Sequence, residues 1–129
     1  MKDVLWGNLS DTARLPAEAS RSKLLGETLA PIALAALTKA TLAYNKEFDA
    51  AIARLEKANP TLKIIKLDLY AKFEDISAHP DKYGFTDVTT GGNDGKHLFS
   101  ADGLHPSPKG HRMLAEFAFE VLSGTTKGK

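Results

Sequence analysis

An aspartate and a histidine three residues apart are the side chains of this sequence best suited to chemistry. Asp102 and His105 lie in an Asp-Gly-Leu-His-Pro segment at 102–106. A serine nucleophile needs an imidazole to accept its proton, and the imidazole needs a carboxylate that fixes its tautomer and stabilises its charged form. Asp102 and His105 could fill the carboxylate and imidazole roles. Spacing alone is weak support, because this pairing also occurs in ordinary polar turns.

The elements that must position this pair predict an α/β fold. Residues 4–6 form a short apolar run typical of a buried strand, and residues 62–67 form a second, β-branched run. Between them, apolar residues recur at steps of three and four over 34–55, which predicts a long amphipathic helix that Asn59-Pro60 ends. A helix between two strands implies a βαβ crossover and a parallel sheet.

The remaining segments divide into loops and two shorter helices. Residues 16–29 are expected to form a loop with a weak helical turn, and residues 68–77 a short helix. The glycine-rich stretch 81–98 is expected to be a loop and not part of the core. Ser107 can cap a final helix that starts at Pro108 and ends at Gly124, and the tail at 125–129 is expected to fray.

Composition narrows the class of protein. The chain has 129 residues, 17 Lys and Arg against 16 Asp and Glu, and no cysteine. One domain over residues 1–129 is therefore expected, without a disulfide framework or a thiolate zinc site. No basic stripe interleaved with aromatics is present, so nucleic acid is not an expected partner. The N-terminus does not read as a signal peptide, and the longest apolar stretch, 29–37, is about half the ~20 residues of a transmembrane span.

A longer string around the Asp–His pair resembles a known family. Residues 102–115, Asp-Gly-Leu-His-Pro-Ser-Pro-Lys-Gly-His-Arg-Met-Leu-Ala, resemble the last conserved block of the GDSL, or SGNH, hydrolases, where an Asp-x-x-His-Pro segment opens the C-terminal helix. Tyr44-Asn45 at the head of a helix and Tyr83-Gly84-Phe85 follow in the order typical of the lipase-like branch. Residues 4–16 resemble the strand and loop after that branch's third block. The resemblance covers nearly the whole chain.

This resemblance implies an ester hydrolase with a Ser-His-Asp triad and no cofactor or metal. Asp102 would be the triad acid and His105 the general base, and the substrate would be a carboxylic ester or lipid. The fold would be the C-terminal part of a flavodoxin-like three-layer sandwich with a parallel sheet. Family members place the serine in a Gly-Asp-Ser block, which this sequence lacks, so the chain alone is expected to be nearly inactive. The family also suggests secretion or a cell-surface location.

Other interpretations remain open at this stage. Ser10, Ser100 and the Gly-Gly-Asn-Asp run at 91–94 are expected to be ordinary turn residues. A metal site is the main alternative chemistry, because residues with oxygen and imidazole ligands occur close together in the sequence. These residues are Asp94, His97, Asp102, His105 and His111. The other rival is a non-catalytic truncated domain. The strand at residues 4–6 would then be an exposed sheet edge that pairs with a missing N-terminal segment or with another copy of the chain.

Overall fold

The computed structural model of the protein describes residues 2–124, and the tail at 125–129 lies outside the described residues. The described chain alternates strands with helices and short 3₁₀ turns. In order, the strands and α-helices are β1 (Lys2–Gly7), α1 (Pro16–Ser22), α2 (Gly26–Ala58), β2 (Leu62–Leu67), α3 (Leu69–Ala78), β3 (Asp87–Gly91), β4 (His97–Phe99) and α4 (Pro108–Ser123). The 3₁₀ turns cover Thr12–Arg14, Lys23–Leu25 and Pro80–Tyr83.

The βαβ unit is confirmed. Strands β1 and β2 pair in parallel, with Val4 opposite Ile64 and Trp6 opposite Lys66, and α2 is the crossover between them. Trp6 packs edge-on against Phe48 of α2, with ring centroids 5.5 Å apart. Two parallel strands joined by a helix place the chain in the α/β class, as the sequence predicted.

Helix α2 is longer than the periodicity predicted, and its apolar face is less covered. The helix begins at Gly26 and runs through Pro31 to Ala58. Phe48 is buried, but Tyr44 and Leu55, which lie on the predicted face, are 57% and 40% exposed. Within residues 2–124 the sheet that α2 packs on has two strands. We infer that so narrow a sheet covers only part of the face of so long a helix.

Buried polar side chains of α2 hold the loop that follows β1. The Asn45 amide makes two hydrogen bonds to the backbone of Leu9 in this loop. Its Oδ1 accepts from the Leu9 N–H at 2.8 Å, and its Nδ2 donates to the Leu9 carbonyl at 2.7 Å. Two turns earlier, the Thr38 hydroxyl donates to the Asp11 carboxylate at 2.8 Å. Both pairs join residues that are far apart in the sequence, so these hydrogen bonds attach α2 to the loop after β1.

The prediction of a loop over residues 16–29 was wrong. Helix α1 starts with Pro16, whose fixed φ suits the first helical position, and it is followed by a 3₁₀ turn and the start of α2. Gly26 has φ 84°, in the left-handed region that glycine adopts without a steric cost. Gly26 therefore separates two helical segments, where the sequence predicted only a weak helical turn before the long helix.

The prediction that residues 81–98 lie outside the core was also wrong. Strands β3 and β4 form in this region and pair in parallel with an irregular register. Leu98 is fully buried, and Phe85 and Phe99 are 2% and 3% exposed. These residues join one hydrophobic core with residues of α3 and α4, which are Phe73, Ile76 and Met113. The glycines lie beside short runs of apolar residues. The backbone of this segment is therefore irregular, while its apolar side chains are still buried.

Helix α4 forms as predicted. The Ser107 side chain accepts a hydrogen bond from the Gly110 N–H at 3.0 Å, Pro108 is the first residue, and Gly124 ends the helix in the left-handed conformation. Ser107 is 2% exposed, and its own N–H donates to the Leu98 carbonyl at 2.8 Å. The Ser107 cap thus attaches the start of α4 to β4. Pro106, just before the cap, forms an isolated β-bridge with Phe99 of β4.

Candidate active site

The Asp102 and His105 side chains meet in a tight turn between β4 and α4. His105 Nδ1 lies 2.5 Å from Asp102 Oδ2. An ionised carboxylate can only accept hydrogen bonds, so the imidazole is the donor and carries its proton on Nδ1. The His105 side chain is 73% exposed, and within residues 2–124 its Nε2 has no hydrogen-bond partner. The second nitrogen is therefore open to accept a proton from a substrate or a nucleophile.

The other oxygen of Asp102 is fully engaged. Oδ1 accepts from the backbone N–H groups of Leu104 and His105, at 2.8 and 3.0 Å, and from the Ser100 hydroxyl at 2.9 Å. The hydrogen bond with the His105 ring, followed by these backbone and hydroxyl donors, holds the pKa of Asp102 well below its usual value. The carboxylate is thus kept charged, which is the state that orients and stabilises an imidazolium.

Gly103 lets α1 approach the turn closely. Its φ is 69°, and a Cβ added here would lie 2.9 Å from the Ala17 backbone nitrogen. The Ala17 N–H donates to the Gly103 carbonyl at 3.1 Å. A left-handed residue without a side chain is therefore required at this point of the turn.

A cleft of about 330 Å³ lies beside the turn. One wall is the start of α1 and the following turn, and the other is the end of β3 with the residues before His105. Its lining is mostly small or hydroxylated side chains; the residues are Pro16, Ala17, Ala19, Ser20, Lys23, Thr89, Thr90, Gly91, Ala101, Asp102 and Gly103. A group attached to the reacting centre of a substrate could occupy this space.

Comparison with known proteins decides the family. A family model described as GDSL-like Lipase/Acylhydrolase matches residues 4–118. The chain belongs to this GDSL family. The Arabidopsis thaliana protein "GDSL esterase/lipase APG" is 40% identical over 48 residues, which are 37% of this chain and 14% of that protein. The matched part therefore spans a small share of that relative's length, and the resemblance that the 102–115 string indicated is confirmed.

A second Asp-Gly-x-His turn lies eight residues upstream in this GDSL chain. Asp94 and His97 repeat the geometry, with Nδ1 to Oδ1 at 2.7 Å and an intervening glycine at φ 76°. The difference is on the other ring nitrogen, because Nε2 of His97 lies 3.5 Å from the Asp87 carboxylate. His97 is also only 20% exposed in its side chain. Its ring is thus held between two carboxylates, whereas that of His105 is open on one side.

The sequence analysis did not notice this repetition. The signal was available, because Asp-Gly-Lys-His at 94–97 and Asp-Gly-Leu-His at 102–105 share three of four residues. The contacts of the second nitrogen and the exposure of the ring separate them. His97 joins Asp87 to Asp94 and is not among the residues that line the cleft.

The candidate metal ligands do not converge. Within residues 2–124, His, Asp and Glu side chains form no group of three that could hold a metal ion. His97 has its two carboxylate neighbours on opposite ring nitrogens, so they do not point to a common centre. His111 is exposed on α4.

No helix within residues 2–124 is long and apolar enough to cross a membrane.

Asp87 organises the β3 wall of the cleft and should make stability depend on pH in acid. Hydrogen bonds from Thr90 and Thr89 hold the pKa of Asp87 at about 2. Because the folded-state pKa is depressed, the stabilisation is fully present above the unfolded value of about 3.9 and is lost as the pH falls through about 2. We expect the difference in unfolding free energy between the wild type and Asp87→Asn to shrink over that window. Urea titrations at several pH values measure it, and a constant difference would contradict the assignment.

Proposed function

We propose that this chain supplies the acid and the base of a Ser-His-Asp triad for the hydrolysis of carboxylic esters. The observation that carries the proposal is the Asp102–His105 pair, with Nδ1 bonded to a charged carboxylate at 2.5 Å and Nε2 open. Membership of the GDSL-like lipase and acylhydrolase family supports the same class of substrate.

The two residues have distinct roles in this mechanism. The serine hydroxyl attacks the ester carbonyl while His105 Nε2 takes its proton, and the imidazolium is stabilised by Asp102. His105 then returns that proton to the alkoxide as it leaves, so that an alcohol and an acyl-serine form. In the second half, water loses a proton to His105 and attacks the acyl group, which leaves as a carboxylic acid while the serine is reprotonated.

We propose that the serine comes from outside this chain. The Ser100 hydroxyl has two acceptors within hydrogen-bond distance, the Asp102 carboxylate at 2.9 Å and the His105 carbonyl at 3.1 Å, and neither is the imidazole. A nucleophile would instead donate to the imidazole. The chain by itself is then expected to be close to inactive, because removing a triad nucleophile costs orders of magnitude in rate.

Hydrolysis of a short-chain chromogenic ester tests this proposal. The purified chain is assayed alone and with the polypeptide encoded upstream in its source gene, each with a His105→Ala counterpart. Activity in the combination that depends on His105 supports the proposal. Activity of the chain alone that depends on His105 would mean that the serine lies within it, and no activity in any combination would overturn the proposal.

A non-catalytic role through the edge of the sheet is the second candidate. Within residues 2–124, β1 pairs with β2 on one edge and with no strand on the other. Val4, Leu5 and Trp6 of this strand are 39%, 37% and 48% exposed, which is unusual for a parallel strand. An unpaired apolar edge invites pairing with another copy or with a separate segment. Light scattering tests self-association, and a monomer over the accessible concentration range would exclude pairing between copies.

A further inference from the structure

Ser100 contacts both members of the pair. Its hydroxyl lies 2.9 Å from Asp102 Oδ1 and 3.1 Å from the His105 carbonyl, and its N–H donates to that carbonyl at 2.9 Å. Its own carbonyl accepts from the Gly103 N–H at 2.9 Å. The serine thus closes the turn on both sides, and no other side chain of the described range apart from His105 donates to Asp102.

The end of β3 packs against the backbone of Ser100. A Cβ added at Gly91 would overlap the Ser100 carbonyl oxygen, and it would lie 3.3 Å from the Gly103 nitrogen. The Gly92 N–H also donates to the Phe99 carbonyl at 3.1 Å. Gly91 therefore allows the end of β3 to pack closely on the Ser100 backbone, which holds this residue at the start of the turn.

We propose that Ser100 is a positioning residue for the acid–base pair. By engaging Oδ1 it holds the carboxylate in the rotation that presents Oδ2 to His105 Nδ1. This inference rests on the proposed function, because it assigns Ser100 a role in the same reaction. Ser100 acts through Asp102 and does not itself touch the reacting atoms.

The physical reason is that the Asp102 carboxylate rotates easily about the last bond of its side chain. The terminal torsion of an aspartate is broad, so donors to one oxygen decide where the other points. Two of the donors to Oδ1 are backbone groups, and both are exposed to competition from water at a side chain that is 44% exposed. The Ser100 hydroxyl adds a third donor to the same oxygen. Without it the carboxylate should sample rotations in which His105 loses its Nδ1 partner and the proton moves more often to Nε2.

The experiment compares Ser100→Ala with Ser100→Thr, which keeps the hydroxyl, and with Ser77→Ala on α3 as a matched control. The readout is the pair of imidazole ¹⁵N chemical shifts of His105 in this chain, at a pH where the ring is neutral. We expect a smaller share of the Nδ1–H tautomer in Ser100→Ala, a wild-type share in Ser77→Ala and a largely restored share in Ser100→Thr. An unchanged tautomer share in a folded Ser100→Ala protein would overturn the inference.

Activity of the complemented hydrolase gives an independent readout. Ser100→Ala should lower kcat about tenfold with little change in KM, the loss expected for one hydrogen bond to a charged group. If the wild type shows no His105-dependent hydrolysis, the proposed function fails, while the tautomer measurement still decides whether Ser100 positions the pair. If hydrolysis occurs and Ser100→Ala keeps either the wild-type tautomer share or the wild-type kcat, the inference about Ser100 fails alone.

Discussion

Replacing His105 with alanine is expected to lower kcat of the complemented hydrolase by about 10⁶, the loss typical of removing a triad base. Replacing Asp102 with asparagine is expected to cost about 10⁴, because the geometry survives while the imidazole adopts the wrong tautomer. The open Nε2 and the 2.5 Å contact to Asp102 explain why the two losses should differ in this order. Steady-state hydrolysis of a chromogenic ester, with circular dichroism to check folding, measures both.

His79→Ala is the matched control for these substitutions. His79 is exposed and follows α3, outside the residues that line the cleft. It should retain wild-type kcat and KM. Wild-type activity in His105→Ala would instead exclude this residue as the base and would remove the basis of the triad proposal.

Replacing Leu98 with alanine is expected to lower the free energy of unfolding by about 2–5 kcal/mol, the range for truncating a buried leucine. Leu98 is fully buried in the cluster that joins α3, β4 and α4. Its carbonyl also accepts from the N–H of Ser107, whose side chain caps α4. The cavity would therefore loosen the elements on both sides of the Asp102–His105 turn. Urea unfolding followed by circular dichroism measures the change.

Leu24→Ala makes the same chemical change at a surface position. Leu24 is 86% exposed, so its truncation should alter the free energy of unfolding by no more than about 0.5 kcal/mol. Equal losses for the two variants would show that Leu98 is not buried in solution, and would question the packing of β4 against α4.

The consequence of this packing is that the site lies directly next to the core, because Ser100 follows the buried Phe99. Ser100 and Ser107 follow β4 directly or bond to it, and the Asp102–His105 turn lies between them. Substitutions in the core behind β4 should therefore affect catalysis as well as stability. An effect on kcat in a core variant that remains folded would be transmitted through the turn.

Local patterns in the sequence determined much of the fold. Three features were predicted because each depends on neighbouring residues. Strand β2 follows from a β-branched run, and the end of α2 from Pro60, which breaks the helix. The start and end of α4 follow from Ser107-Pro108 and Gly124. The Asp102–His105 pair was proposed from its spacing together with the resemblance of residues 102–115 to the GDSL hydrolases. Its geometry is set within one turn, and the two residue types are three positions apart.

Only the tertiary structure decided which side chains are buried and which histidine is open. The sequence presents two Asp-Gly-x-His turns, and His97 differs from His105 because Asp87, ten residues away, faces its second nitrogen. The glycine-rich segment reads as a loop, yet Leu98 is buried by residues from α3 and α4. Burial and pairing between distant residues depend on long-range packing, which leaves no periodic signal in the segment itself.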